Sequence, residues 1–121
     1  MILLDSNIII YSYANYPYLR EVLIQENTLI SEITKVEVLG YHKLSIDEEN
    51  YFRSVFTLLP SISVDHTIIE AAINIRKKFN LKLGDSLIAG TAFTHNLTLY
   101  TRNLSDFERI EGLTTKNPIK E

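Results

Sequence analysis

The sequence predicts an α/β domain, a short and mostly parallel β-sheet covered by helices on both faces. Three observations predict it. Short apolar runs at residues 1–4, 28–31, 61–64 and 97–100 alternate with longer segments of helical periodicity. Each run stops at turn-forming or capping residues, as strands leading into helices do. A chain of 121 residues, 45% of them hydrophobic, has material for one core, so a single domain over residues 1–121 is expected.

The elements follow in order. Residues 1–4 form the first strand, which stops at Asp5-Ser6-Asn7, and a helix begins at Ser6 or Asn7. Pro17 suits the first turn of a second short helix reaching about residue 26. After the strand at 28–31, Thr34 and Glu37 stand three apart in a capping-box pattern that predicts a helix to about Leu44. Ser45 and Glu48 repeat the pattern. The helix they open carries Phe52, Val55, Phe56 and Leu59 on one stripe, and Pro60 ends it. Asp65 caps a long helix behind the strand at 61–64, with Ile68, Ala72, Ile75 and Phe79 on its buried face. Gly84-Asp85 breaks the chain and restarts it as a helix to about His95, with Ala89, Ala92 and Phe93 facing inward. The strand at 97–100 ends at Thr101-Arg102-Asn103. A short helix around 105–110 and a strand near 113–115 complete the reading.

Composition removes several classes of function. With no cysteine, thiolate zinc sites, iron–sulfur clusters, thiol nucleophiles and disulfides are excluded. A net charge of −3 speaks against duplex nucleic-acid binding by bulk electrostatics and leaves room for a local patch or a carboxylate cluster that holds cations. No apolar run approaches the roughly 20 residues of a membrane span. Asp5 interrupts the N-terminal apolar stretch, which has no basic flank, so a cytoplasmic protein without membrane association is expected.

In an open parallel sheet, ligands bind beyond the carboxyl ends of the strands. The polar residues there are Asp5-Ser6-Asn7 and Thr101-Arg102-Asn103, with Glu37, Asp85 and Asp106 in nearby helical turns. Their hard oxygen donors suit Mg²⁺ or Mn²⁺. Each also has a structural reading: Asp5 or Asn7 caps the first helix, Glu37 completes a capping box with Thr34, and Asp85 caps the helix after Gly84. Ser105, Asp106 and Glu108 make a further cap. Two other α/β chemistries fit less well. A receiver-type phosphoacceptor needs an early acidic pair, and Asp5 has no acidic neighbour; a haloacid-dehalogenase-like phosphatase needs Asp-x-Asp, where this chain has Asp5-Ser6-Asn7.

Other features read as background. Arg76, Lys77, Lys78 and Lys82 suit a helix C-terminus and a solvated face better than an RNA patch. Tyr11, Tyr13, Tyr16 and Tyr18 serve core packing or, alternatively, an interface with a partner or in a homodimer. His42, His66 and His95 show no ligand spacing.

The stretches MILLDSNIIIY, ISEITKVEVLGY, LKLGDSLIAGTA and LYTRNLSDFERIEGL, closing with TTKNP, resemble a PIN domain (PilT N-terminal domain), specifically the VapC-type toxins of toxin–antitoxin pairs. They cover nearly the whole chain in family order. The resemblance implies a divalent-metal-dependent endoribonuclease with a quartet around one or two Mg²⁺ or Mn²⁺ ions. Asp5, Glu37 and Asp85 match its first three acids. Asn103 stands at the fourth position, where many members carry Asp, and Asp106 one turn further on is the alternative occupant. Thr101 and Asn7 match recurrent polar positions. The metal would activate a water for phosphodiester hydrolysis and Glu37 would hold the metal or its waters. The implied substrate is single-stranded or looped RNA, such as tRNA or rRNA, and the implied partner is a cognate VapB-type antitoxin. The other readings within the family are a nuclease of RNA processing without a toxin role and a non-catalytic binding module.

Overall fold

The computed structural model describes residues 1–120. In chain order the elements are β1 (Ile2–Leu4), α1 (Ser6–Tyr13), a 3₁₀ turn (Pro17–Leu19), α2 (Arg20–Leu23), β2 (Thr28–Ser31), α3 (Glu32–Leu39), α4 (Ile46–Leu58), β3 (Ser61–Ile62), α5 (His66–Phe79), α6 (Leu83–His95), β4 (Thr98–Tyr100), α7 (Leu104–Phe107) and β5 (Thr115–Lys116). The expected α/β class is what forms. All four strand pairings are parallel, in the order β3-β2-β1-β4-β5, with Ile2 opposite both Thr28 and Thr98.

The strands are short, yet their alternation divides the core in two. Leu4 and Ile30 point to one face and join Ile8, Ile9, Leu19 and Phe52 of the helices there. Leu3 and Leu99 point to the other and join Ile75, Ile88, Ala89 and Phe107. On that second face α5 and α6 lie close because Gly90 has no side chain. A Cβ there would stand 3.0 Å from the Ala72 nitrogen and 3.1 Å from the Ile68 carbonyl oxygen.

The starts of α4 and α5, like that of α1, match their sequence signals. Ser45 and Glu48 form the reciprocal capping box of α4, and Asp65 accepts the Ile68 N–H at 3.0 Å to cap α5. Two others do not. The helix read from Thr34 begins three residues earlier, capped by Ser31, whose hydroxyl accepts the Ile33 N–H, and it ends at Leu39 rather than Leu44. Thr34 is therefore a buried interior residue, and there is no Thr34–Glu37 capping box. The break expected at Gly84-Asp85 falls earlier, at residues 80–82. Helix α6 starts at Leu83 with Lys82 at its N-cap, so Gly84 and Asp85 both lie inside its first turn.

Phe93 was expected to face inward and instead is 50% exposed. Helix α6 buries Ile88, Ala89 and Ala92, and the residue next to Ala92 turns away. The segment expected as one helix from Pro17 divides into the 3₁₀ turn and α2. The last helix and strand are offset slightly from their expected positions, at Leu104–Phe107 and Thr115–Lys116. Among the described residues, no helix is long and apolar enough to cross a membrane.

Candidate active site

The chain visits β1, β2 and β3 on one side of the sheet and returns to β4 and β5 on the other, so the connections diverge between β1 and β4. That is where an open parallel sheet leaves a crevice beyond its carboxyl ends. Asp5 follows β1 directly and Thr101 follows β4. The strand ends are tied by the Asp5 N–H donating to the Tyr100 carbonyl at 2.9 Å.

Asp5 is 4% exposed and its carboxylate is fully oriented. One oxygen, Oδ1, accepts the Ser6 N–H at 2.8 Å, which makes Asp5 the N-cap of α1. The other, Oδ2, accepts the Thr101 hydroxyl at 2.9 Å and a longer bond from the Asn7 amide at 3.4 Å. Thr101 Oγ1 itself accepts the Asn103 N–H at 3.0 Å, which leaves the hydroxyl proton for Asp5. Asn7 closes the bracket by accepting the Arg102 N–H at 3.3 Å. Thr101 and Asn7 are thus positioning residues for Asp5.

Three further acids lie at this rim. Glu37 projects from the middle of α3, Asp85 from the first turn of α6 and Asp106 from α7. Their mutual influence is electrostatic. Burial raises the Asp5 carboxyl to about 6 against the opposing hydrogen bonds from Thr101 and Ser6, and the Asp85 charge adds to the rise. Loss of water contact raises Glu37, helped by the charges of Asp5 and Asp85. The same loss raises Asp85, helped by Asp106 and opposed by Lys82. None of the ion pairs formed among the described residues involves these four acids.

The fold therefore separates chemistry from capping. Of the caps proposed for the four rim acids, only that of Asp5 forms. Glu37 and Asp85 have no capping bond to explain them. At the contested fourth position, Asn103 sits at the N-cap of α7 without a side-chain capping bond and contributes its backbone N–H to Thr101. Asp106 is the residue whose charge acts on Asp85. Sequence reasoning missed Gly84. A Cβ there would stand 2.8 Å from Glu37 Oε2, so the bare backbone leaves room for that carboxylate. The glycine directly before Asp85 was visible in the sequence, but its partner lies on another helix.

The residues of MILLDSNIIIY and LYTRNLSDFERIEGL thus meet at one crevice, 96 positions apart between Asp5 and Thr101. The PIN domain family model matches residues 2–113, across all four acids. The chain belongs to the PIN domain family. Among curated relatives of this PIN domain are Ribonuclease VapC1 of Rickettsia felis, 33% identical over 104 residues, and Ribonuclease VapC of Rickettsia bellii, 32% identical over 105 residues. Each alignment covers 84% of this chain and 72% of the relative. Among solved structures, a toxin–antitoxin complex from Klebsiella pneumoniae contains a chain 30% identical to this PIN domain, with TM-score 0.82 and 100% of both chains covered. FitAcB from Neisseria gonorrhoeae is 26% identical, with TM-score 0.79 and 98% of each chain covered.

A divalent cation fits the chemistry of this donor set. Four carboxylates crowd one rim, and burial and mutual repulsion hold three of them above their ordinary values. Among the described residues, no three Asp, Glu, His or Cys side chains stand together as a group that could hold a metal ion. Mg²⁺ and Mn²⁺ retain waters and take only one or two carboxylates directly.

Proposed function

We propose that this PIN domain is a VapC-type endoribonuclease that hydrolyses RNA phosphodiester bonds with a divalent cation, and that it is the toxin of a toxin–antitoxin pair. The observation that carries the reading is the convergence of Asp5, Glu37, Asp85 and Asp106 at the β1–β4 crevice without capping work for Glu37 or Asp85. The curated relatives, named as VapC ribonucleases, and the structural likeness to a toxin–antitoxin complex support it.

In this reading Asp5, Asp85 and Asp106 hold Mg²⁺ or Mn²⁺ directly or through its waters, and Asn103 acts through its backbone. When bound, the ion lowers the pKa of water and offsets charge on the scissile phosphate. Thr101 and Ser6 keep the Asp5 carboxylate turned toward the crevice. Glu37 is solvent-accessible and more basic than an ordinary glutamate, which suits it to take the proton of the attacking water. Single-stranded or looped RNA is the substrate class, because an exposed backbone reaches a shallow rim more easily than a duplex does. The partner is a small VapB-type antitoxin that covers the acids.

The test is incubation with total RNA and Mn²⁺ or Mg²⁺, followed by mapping of the cut ends. EDTA should abolish cleavage and added metal should restore it, while undiminished cleavage in EDTA refutes the metal mechanism. Expression alone should arrest growth and co-expression of the antitoxin should relieve the arrest. Harmless expression of an RNA-cleaving protein would favour a role in RNA processing.

A further inference from the structure

Aromatic and basic side chains lead away from the acid rim in one direction. Arg102 directly follows Thr101, and its guanidinium lies 4.7 Å from the centroid of the Tyr11 ring. The Tyr16 ring follows at 5.7 Å from Tyr11 and the Tyr18 ring at a further 5.9 Å; Tyr11 and Tyr16 pack partly against the core, and Tyr18 is the exposed ring. Tyr18 is 42% exposed and forms one wall of a groove of about 390 Å³ that Tyr100, Lys116 and Lys120 also line. The Lys116 ammonium lies 5.7 Å from the Tyr100 ring. The Tyr18 hydroxyl accepts the Lys120 N–H at 2.7 Å and donates to the Lys120 carbonyl at 3.1 Å, fixing the lip of the groove. Tyr100 precedes Thr101 in the chain and pairs with Lys116, so groove and acid rim share one edge of the sheet.

We propose that the Arg102–Tyr11–Tyr16–Tyr18 ladder and the adjoining Lys116–Lys120 groove form a track for the single-stranded RNA flanking the scissile bond. The inference rests on the ribonuclease reading and deepens it. Four acids at the rim, in a chain of net charge −3, repel a polyanion, so RNA must be held by cations beyond the acids. The fold puts Arg102, Lys116 and Lys120 on the same edge, and two of the three lie over aromatic rings. Cations along the backbone path with rings for the bases are what sequence-tolerant single-strand binding requires. The groove has the volume of a small-ligand site, enough for a nucleotide. One acid, Glu21, also lines it. A basic peptide would meet three repelling cations along this route.

The experiment compares wild type, Lys116→Gln/Lys120→Gln, Tyr18→Leu and Tyr18→Phe. A fluorescent single-stranded RNA of about 12 nucleotides is titrated by anisotropy in EDTA at several salt concentrations. KM for the same RNA is then measured with Mn²⁺. The lysine variant should bind more weakly, and its log–log salt slope should fall by about 1.4 through the loss of two phosphate contacts. Tyr18→Leu should weaken binding about tenfold through lost stacking, while Tyr18→Phe, which keeps the ring but loses the hydroxyl bonds to Lys120, should weaken it less. Wild-type affinity and salt slope in both the lysine and leucine variants, with unchanged melting temperatures, would overturn the track. If the same substitutions leave RNA binding intact and loosen a co-expressed antitoxin, the surface belongs to a protein partner and the track is likewise overturned. If wild type binds RNA with the expected losses in the variants but cuts no RNA with Mn²⁺, the ribonuclease reading fails and only a single-strand-binding surface remains.

Discussion

Asp65 and Asp5 both cap helices, and the contrast between their two regions separates structural acids from chemical ones. At the outer start of α5, Asp65 accepts the Ile68 N–H at 3.0 Å from an exposed position. On α4, Glu48 closes the capping box and Glu49 pairs with Arg53 at 2.9 Å. Each of these carboxylates has its partner in the same helix and water around it. At the crevice, Asp5 also accepts a cap bond, but it is buried and is raised further by Asp85, and the neighbouring acids raise one another. A local motif identifies a cap. Only the tertiary surroundings show whether the same carboxylate has a second task.

The largest effect expected from that contrast is on turnover. Asp85→Asn removes one charge from the rim and keeps the shape and helix position, so RNA cleavage should fall by roughly two to three orders of magnitude. The metal-free protein should melt at the same or a higher temperature, because the repulsion within the cluster is relieved. Wild-type cleavage together with an unchanged Mn²⁺-induced melting shift would return Asp85 to the structural set.

The next effect is in stability against pH, measured without divalent cations. The folded state holds the Asp5 proton up to about pH 6, whereas the ordinary value is 3.8. Between those values the folded chain binds more protons than the unfolded one, so stability falls as pH rises and the loss is complete above about pH 6. The Asp5 shift corresponds to at most about 3 kcal/mol. Asp5→Asn cannot lose that proton, so its melting temperature relative to wild type should climb from pH 4 to pH 7. A pH-independent difference would show that Asp5 is an ordinary cap.

A smaller and divided effect is expected for Gly84→Ala. The new Cβ displaces Glu37 Oε2, which it would otherwise meet at 2.8 Å, and cleavage should drop about tenfold, as when a supporting contact is lost. Alanine in the first turn of α6 should at the same time hold or raise the melting temperature. A parallel loss of stability and activity would mean that the glycine serves the fold alone. The smallest effect belongs to the outer set: Asp65→Ala should lower stability by about 1 kcal/mol and leave RNA cleavage unchanged.

Much of this was legible in the chain. The strand at Thr28–Ser31, the Ser45–Glu48 box, the Asp65 cap and the buried stripe of α4 follow local rules, and all are present. The start of α3 was not legible from local pattern alone. Thr34 and Glu37 have capping-box spacing, but β2 pairs with β3 through Ser31 and Ile62, and the helix begins where that pairing ends. Phe93 shows the same limit: apolarity marks a residue fit for burial but not which side of α6 has a neighbour. At the rim, Asp5, Glu37 and Asp85 could be named as candidates by type and position. The influence of the Asp106 charge on Asp85, and the clearance at Gly84, depend on contacts between distant elements.

The Asp5–Thr101 bond also sets a timetable. Strand β1 is the centre of the sheet, but β4, one of its two neighbours, starts at Thr98, so the crevice cannot close until nearly that much chain has left the ribosome. At about 5–20 residues per second, the first strand waits on the order of 5–20 s for that partner. Until then Asp5 has neither the Thr101 hydroxyl nor Asp85 and Asp106 beside it. A chain that has not yet released Thr101 therefore lacks the hydroxyl that orients Asp5, and the crevice is assembled late in synthesis.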